Sequence, residues 1–427
     1  MVRLRRGSFL LACLAAACSV GQPKVPVDRY RAGDFAEVAN FAEQELAGGD
    51  PENEAIVQNV AGQAQLFLGH IDAARRSFAT AYQIMGTWAT AGSEVYKAVF
   101  GNESSKTWRG DPYERGMNAV YLALCDLWHG EPDNARASLI NGIMADAESG
   151  AEDAAGAAAQ VKEDNALLFW MAGRMGRLAG SSDVEQNFAD ALKAHEFALA
   201  NGARGDAANP ILTSPKAGNL VVLVECGMGP EKFAKGMGDP IARFRDRTDA
   251  AVRAEVSVDG RPVGPAHVLA DVFYQATTRG GTAMEGIRKG KAVVKIGAAV
   301  AGVETLKYAA HERDAQRAAV AAAAAGAFFL VALLVSSDAD VRHWPTLPST
   351  VGVATTMLPP GDHQLLVEFF DARGNALATL RQQSIVRVPA RGEAWCLVRP
   401  AQRPAVAGAP VLGIPSPSAQ PGAAALR

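Results

Sequence analysis

The segment KTWRGDPYER, running from Lys106 to Arg115, holds the most distinctive set of chemistry-bearing side chains in the chain. Lys106, Arg109 and Arg115 surround Asp111-Pro112, with Trp108, Tyr113 and Glu114 among them. Cations gathered at a helix N-terminus suit an anion or a carboxylate, because the first backbone N–H groups of a helix point outward without partners. The same residues also have a local explanation. Asp111 is a good N-cap, Pro112 fits the first helical position, and Glu114 two residues further on completes a capping box. A binding cluster and a structural joint are both compatible with this string.

Elsewhere the usual catalytic signatures are missing. There is no HExxH, no paired CxxC, no GxSxG and no dinucleotide-binding glycine pattern. Gly281 to Gly286 approaches a phosphate-loop frame, but Ile287-Arg288 stand where Lys and then Ser or Thr are required. His70, His129 and His195 fall on helix ends. His343 and His363 are the pair that folding would have to unite, with Asp338, Asp340 or Asp362 as a third ligand, before a metal could bind. The expectation is therefore no catalytic residue, no metal site and no cofactor.

The elements that position these residues fall into two halves. From Val27 to Asn201 the apolar spacing is helical and repeats. In LGHIDAARRSFATA, Gly69 opens a tight turn, and Ile71, Ala74, Phe78 and Ala81 then share one face. Weaker copies carry Gly33, Phe35, Val38 and Ala42, then Gly130, Ala135, Leu139 and Gly142. A further helix pair is predicted over Asp164–Leu178 and Val184–Asn201, broken at Gly180–Asp183. The glycine, small residue, aromatic and alanine offsets resemble a tetratricopeptide (TPR) repeat. This predicts a TPR-like α-helical solenoid over 24–202, followed by a linker at 203–218.

The second half reads as an α+β domain over 219–400. Asn219–Glu225 is a short buried strand, and RAEVSVDGRPVG is a hairpin turning at Asp259-Gly260. A helical insertion is expected at about 266–335. Strands return from Val351 as a β-sandwich-like C-terminal part, and 401–427 reads as a disordered Pro/Ala tail. Ala318–Val335 is at the lower length limit for a membrane span and is half alanine; a buried helix is preferred there.

The first eighteen residues set the address. Arg3, Arg5 and Arg6 precede a short apolar run ending in Ala15-Ala16-Ala17-Cys18, which resembles the lipobox of bacterial lipoproteins. The resemblance implies a signal peptide over 1–18, acylation of Cys18, and, with Ser19 rather than Asp next, sorting to the outer membrane facing the periplasm. Cleavage without lipidation is the alternative. Formal net charge is −3 among 427 residues, so no basic field points to nucleic acid. Cys125, Cys226 and Cys396 are odd in number and far apart; they read as small buried residues rather than a disulfide framework.

The strings GN…K.WRGDPYER, NLVVLVECGMGPEK, DADVRHWPTLP and LPPGDH are together similar to an uncharacterised family of TPR-containing bacterial lipoproteins, over about residues 27–400. That family implies no catalytic residues. Its genes lie beside those of lipoproteins that activate penicillin-binding proteins, a pointer to envelope and peptidoglycan assembly. The functional expectation is a lipid-anchored, non-enzymatic binding or scaffold module for an envelope protein or peptide, its oligomeric state left open. The alternatives are an envelope hydrolase with its site in the C-terminal domain, or an assembly factor spanning the membrane at 318–335.

Overall fold

A computed structural model describes residues 21–86, 107–151, 165–235, 241–247, 249–279 and 340–410. Cys18, Lys106, Asp338, the 318–335 segment and residues 411–427 lie outside the described residues. The chain is α+β. Helices α1 (Val27–Ala32), α2 (Phe35–Gly48), α3 (Glu54–Phe67), α4 (Ile71–Gly86), α5 (Pro112–Trp128), α6 (Pro132–Ala151), α7 (Ala166–Ala179) and α8 (Val184–Ala200) come first. From α2 onward, each packs on the next along the chain.

The periodic residues are where their spacing demands. Ala74, Phe78 and Ala81 of α4, Phe35, Val38 and Ala42 of α2, and Ala135 and Leu139 of α6 are all buried. Gly33, Gly69, Gly130 and Gly180 each precede the second helix of a pair with left-handed φ of 86°, 80°, 77° and 75°. Only glycine enters that region without a Cβ penalty, so one turn type recurs between partners. The aromatic of the second helix sits on a glycine of the first. A Cβ at Gly62 would lie 2.7 Å from the Phe78 ring, and one at Gly173 would lie 2.6 Å from Phe188.

After α8 comes the short helix α9 (Pro210–Thr213), then strands β1 (Leu220–Cys226), β2 (Met228–Lys235), β3 (Ile241–Arg247), β4 (Arg253–Val258), β5 (Arg261–Pro265) and β6 (His267–Asp271). Helix α10 (Val272–Arg279) follows; β7 (Thr350–Thr356), β8 (Gly361–Phe370), β9 (Gln382–Val388), β10 (Ala394–Val398) and β11 (Val406–Pro410) complete the fold. An inner sheet runs β11-β10-β1-β7-β6, an outer sheet β5-β4-β8-β9, and β2-β3 form a hairpin. Asp259 and Gly260 both have positive φ, 51° and 73°, as the two-residue β4–β5 turn requires.

The inner sheet separates two cores. Leu220, Val222 and Val224 on one side of β1 meet Val256, Leu365, Val367 and Phe369 of the outer sheet. Val221 and Leu223, on the other side, join Val353, Trp395 and Leu397 in a core shared with the helices. Because both faces are covered, β1 is apolar from Leu220 to Val224 and buried throughout. The result is three layers: helices, inner sheet, outer sheet.

Several boundaries differ from expectation. The linker at 203–218 is exposed over most of its length but holds the short helix α9, where Ile211 and Leu212 are buried and Asn209 caps through a 3.0 Å bond from Ile211 N–H. The stretch after Pro265 begins with strand β6, not helix; its five residues are too short for periodicity to separate the two. The C-terminal tail begins with an ordered element, since β11 pairs with β10 from Val398↔Val406 to Ala394↔Pro410.

His363, at the start of β8, ties the outer sheet to the β4–β5 turn. Its Nδ1 lies 2.7 Å from Asp259 Oδ2 and its Nε2 lies 2.8 Å from Pro359 O. Both partners are acceptors, so both are satisfied only by the doubly protonated ring. The Asp259 bond, then the Pro359 carbonyl, raise the pKa of His363. Asp362, Arg261 and Arg387 are the other charges near this pair. A raised folded value means the contribution is full below the unfolded pKa of about 6.5 and is lost as pH rises through the folded value. His363→Gln is therefore expected to lower the melting temperature at pH 5.5 and to have less effect at pH 8.5, as scanning calorimetry at the two pH values would show.

Candidate functional site

Asp111 has extended backbone, Pro112 opens α5, and the Asp111 N–H donates to Glu114 Oε2 at 2.7 Å. The other Glu114 oxygen, Oε1, accepts the Trp344 N–H at 2.6 Å. Lys232 of β2 reaches over the Phe244 ring and meets Asp111 Oδ2 at 2.8 Å. Tyr113 packs edge-on against the same Phe244 ring, with centroids 5.9 Å apart. Trp108 is buried; its N–H donates to Glu52 O at 2.8 Å and its Nε1 to Arg342 O at 3.3 Å. Arg342 in turn pairs with Asp340 at 2.7 Å and donates to Glu52 O at 3.2 Å.

Trp108, Asp111, Tyr113 and Glu114 therefore meet at one joint among α5, the β2–β3 hairpin and the segment 340–346. The N-terminus of α5 is filled by the protein's own carboxylates, with Lys232 as their counter-charge. Burial, then Asp111, push the Glu114 carboxyl up to about 8. Arg115 is placed apart, lining a cleft of about 150 Å³ with Tyr82, Met85, Asn141 and Met144. Arg109 is half-buried beside the joint.

From this joint a chain of buried polar groups runs through the helix–sheet interface. Trp344 Nε1 donates to Gln63 Oε1 at 2.8 Å and to Thr346 Oγ1 at 2.9 Å. Gln63 Nε2 donates to the Tyr121 hydroxyl at 2.9 Å, and that hydroxyl donates to Glu225 Oε1 at 2.6 Å. Arg399 Nη1 meets Glu225 Oε2 at 3.3 Å, and its guanidinium lies 3.9 Å from the centre of the Tyr30 ring. Phe78, Tyr121 and Trp344 pack around the chain with centroids 5.3 to 6.2 Å apart. Burial raises the pKa of Glu225, with Arg399 opposing.

A second knot pins the far end of the helices. Arg174 is fully buried and pairs with Glu393 at 2.9 Å, while its remaining donors meet Pro215, Ala217 and Gly218 carbonyls. Arg177 pairs with the same Glu393. Trp395 Nε1 donates to Glu393 Oε2 at 2.9 Å, and Trp128 Nε1 donates to Trp395 O at 3.0 Å.

Neither knot is legible in the sequence, because Glu225, Arg399, Arg174 and Glu393 look there like ordinary surface charges. The available signal is weak: Glu225 interrupts an otherwise apolar strand.

The thiols and imidazoles are held in other roles. Cys125, Cys226 and Cys396 are free and buried, and burial pushes the last two thiols to about 12. His343 is buried against Val341 O at 3.0 Å, and burial pushes its imidazole down to about 4. It shares no hydrogen-bond partner with His363. Among the described residues no group of three or more His, Cys, Asp or Glu side chains is placed to hold a metal ion. No helix among them is long and apolar enough to cross a membrane.

The chain matches no family model, no curated protein and no solved structure.

Proposed function

We propose that this is a lipid-anchored cell-envelope protein that works as a non-enzymatic binding or scaffold module. Its helical layer is a TPR-like array in this reading. The recurrent left-handed glycines and the Phe78/Gly62 and Phe188/Gly173 contacts support that reading. Anchoring would be through Cys18, whose resemblance to a lipobox places the folded body outside the cytoplasm. The neighbour pointer implied by the family resemblance directs it to envelope and peptidoglycan assembly.

One observation carries the non-enzymatic reading. The deeply buried polar groups are spent on joints: Glu225, Glu393, Arg174 and Arg399 tie the helices to the inner sheet, and Glu114 and Lys232 tie the start of α5 to the 340–346 segment and the β2–β3 hairpin. A catalytic group needs a partner it can release to substrate, whereas these are committed to the fold. The same layout redirects the search for a partner. The first helices of three of the four pairs, α3, α5 and α7, are buried almost along their length, in a core they share with the inner sheet. A repeat array usually offers an inner face to its ligand; here that face is covered from within.

Cell fractionation of a Cys18→Ser variant tests the anchor. The variant is expected to move from the membrane fraction to the soluble envelope fraction. Crosslinking in intact cells followed by recovery of the lipidated protein tests the scaffold role. A defined envelope assembly partner supports it; a turnover of envelope polymers by the purified protein would sink it.

A further inference from the structure

From Gly21 onward the chain is bound into the fold. Gly21 O accepts Asn53 Nδ2 at 2.9 Å, just before α3 begins. Gln22 grips the His343 backbone twice: its Nε2 donates to His343 O and its Oε1 accepts the His343 N–H, both at 2.9 Å. Pro23 is buried, and Val25 and Val27 pack against the core that helices and inner sheet share. The partners are themselves fixed. Asn53 is buried with its Oδ1 3.4 Å from Arg342 Nη1, and His343 precedes Trp344, whose N–H is held by Glu114.

This clamp marks one end of the helical layer. The starts of α3 and α5 meet there, since Trp108 N–H donates to Glu52 O. α7 begins beside them, because a Cβ on Gly116 of α5 would lie 3.6 Å from Asn165 Nδ2. The turns at Gly69, Gly130 and Gly180 are at the opposite ends of the same helices. With 14 residues in α3 and 17 in α5, that separation is about 21–25 Å.

We propose that the end where α3, α5 and α7 begin, with residues 21–24 and 340–343, is held on the lipid headgroups by a tether too short to let it turn away. This rests on the reading of Cys18 as the acylated residue, in which case only Ser19 and Val20 separate the lipid from Gly21. Fully extended, that link reaches about 11 Å. The reach also fixes the partner as the bilayer itself. A single helix with its side chains is about 10–12 Å across, so no folded domain fits between this end and the membrane. Lys24 and Asp50, both exposed here, have opposite signs, so the tether rather than a charged patch sets the contact. The Gly69, Gly130 and Gly180 turns then point away from the membrane, toward any partner in the envelope.

The test uses the full-length protein purified from membranes and reconstituted in phosphatidylcholine vesicles that contain a lipid with a nitroxide on its headgroup. A fluorophore is attached at Ala47→Cys or at Ser182→Cys. Ala47 is exposed in the last turn of α2, which leads into the clamp, and Ser182 is exposed in the α7–α8 turn. Both sites are exposed, so the variants are expected to melt with the wild type. Cys125, Cys226 and Cys396 are buried and stay unlabelled. The expected result is quenching at Ala47 and not at Ser182. Inserting about twenty Gly and Ser residues between Val20 and Gly21, with a mean reach of roughly 25 Å, should abolish that difference. Equal quenching at both sites, none at Ala47 in protein that floats with the vesicles, or a difference that survives the insertion overturns the orientation and leaves the anchor standing. Protein that does not float with the vesicles overturns the anchor, and the orientation with it.

Discussion

Arg399→Met is expected to destabilise the protein by about 3–5 kcal/mol, the range for removing one partner of a buried ion pair. Arg399 and Glu225 are each about 1 % exposed, so the carboxylate left behind has no water to turn to. The loss extends past the pair, because Arg399 also lies over the Tyr30 and Phe67 rings and ties α1 and α3 to the sheet. Burial already raises the pKa of Glu225, and loss of Arg399 removes the main opposing charge. A carboxyl raised in the folded state binds more protons there than when unfolded. The variant's deficit should therefore shrink as pH falls through the folded value toward the ordinary carboxylate range. Combining Arg399→Met with Glu225→Gln should recover part of the loss at pH 7. Urea midpoints of the four proteins at pH 5 and pH 8 check all three statements.

Trp344→Ala is expected to cost a comparable amount, about 3–5 kcal/mol for truncating a buried tryptophan. Its ring packs against Phe78 and Tyr121, while its Nε1 serves Gln63 and Thr346. Truncation opens a cavity and also strands buried acceptors. Trp344→Phe separates the two contributions. It keeps much of the volume and loses the N–H, so a cost of about 1–3 kcal/mol for the unsatisfied groups is expected. Calorimetric melting of both variants gives the comparison, and an alanine variant as stable as wild type would mean this residue does not join the layers.

Local features were legible because they depend on near neighbours. The faces of Ala74, Phe78 and Ala81, the helix start at Asp111 and the turn at Asp259-Gly260 follow from spacing and capping alone. What covers an apolar face does not. The stripe on α5 is compatible with a groove, yet Tyr121 and Trp128 are spent on Glu225 and Trp395 from the sheet. The β2–β3 hairpin was hidden for a related reason. Its alternation is carried by Arg243, Phe244 and Arg245, which reads as a charged stretch unless the α5 joint that half-buries Phe244 and buries Lys232 is known. At the candidate cluster the sequence offered a binding site or a joint, and only the partners from β2 and 340–346 distinguish them.

The central claim is that, among the described residues, helices and the inner sheet share one core and so unfold together. Equilibrium urea unfolding, followed together by far-ultraviolet circular dichroism and tryptophan fluorescence, tests it most directly. The first signal reports the helices, and the second reports six tryptophans, of which Trp108, Trp128, Trp170, Trp344 and Trp395 are buried and Trp88 lies outside the described residues. The account predicts coincident transitions with one midpoint, as a cooperative unit requires. A fluorescence transition complete while the helical signal persists would show that the layers part independently, and would contradict it.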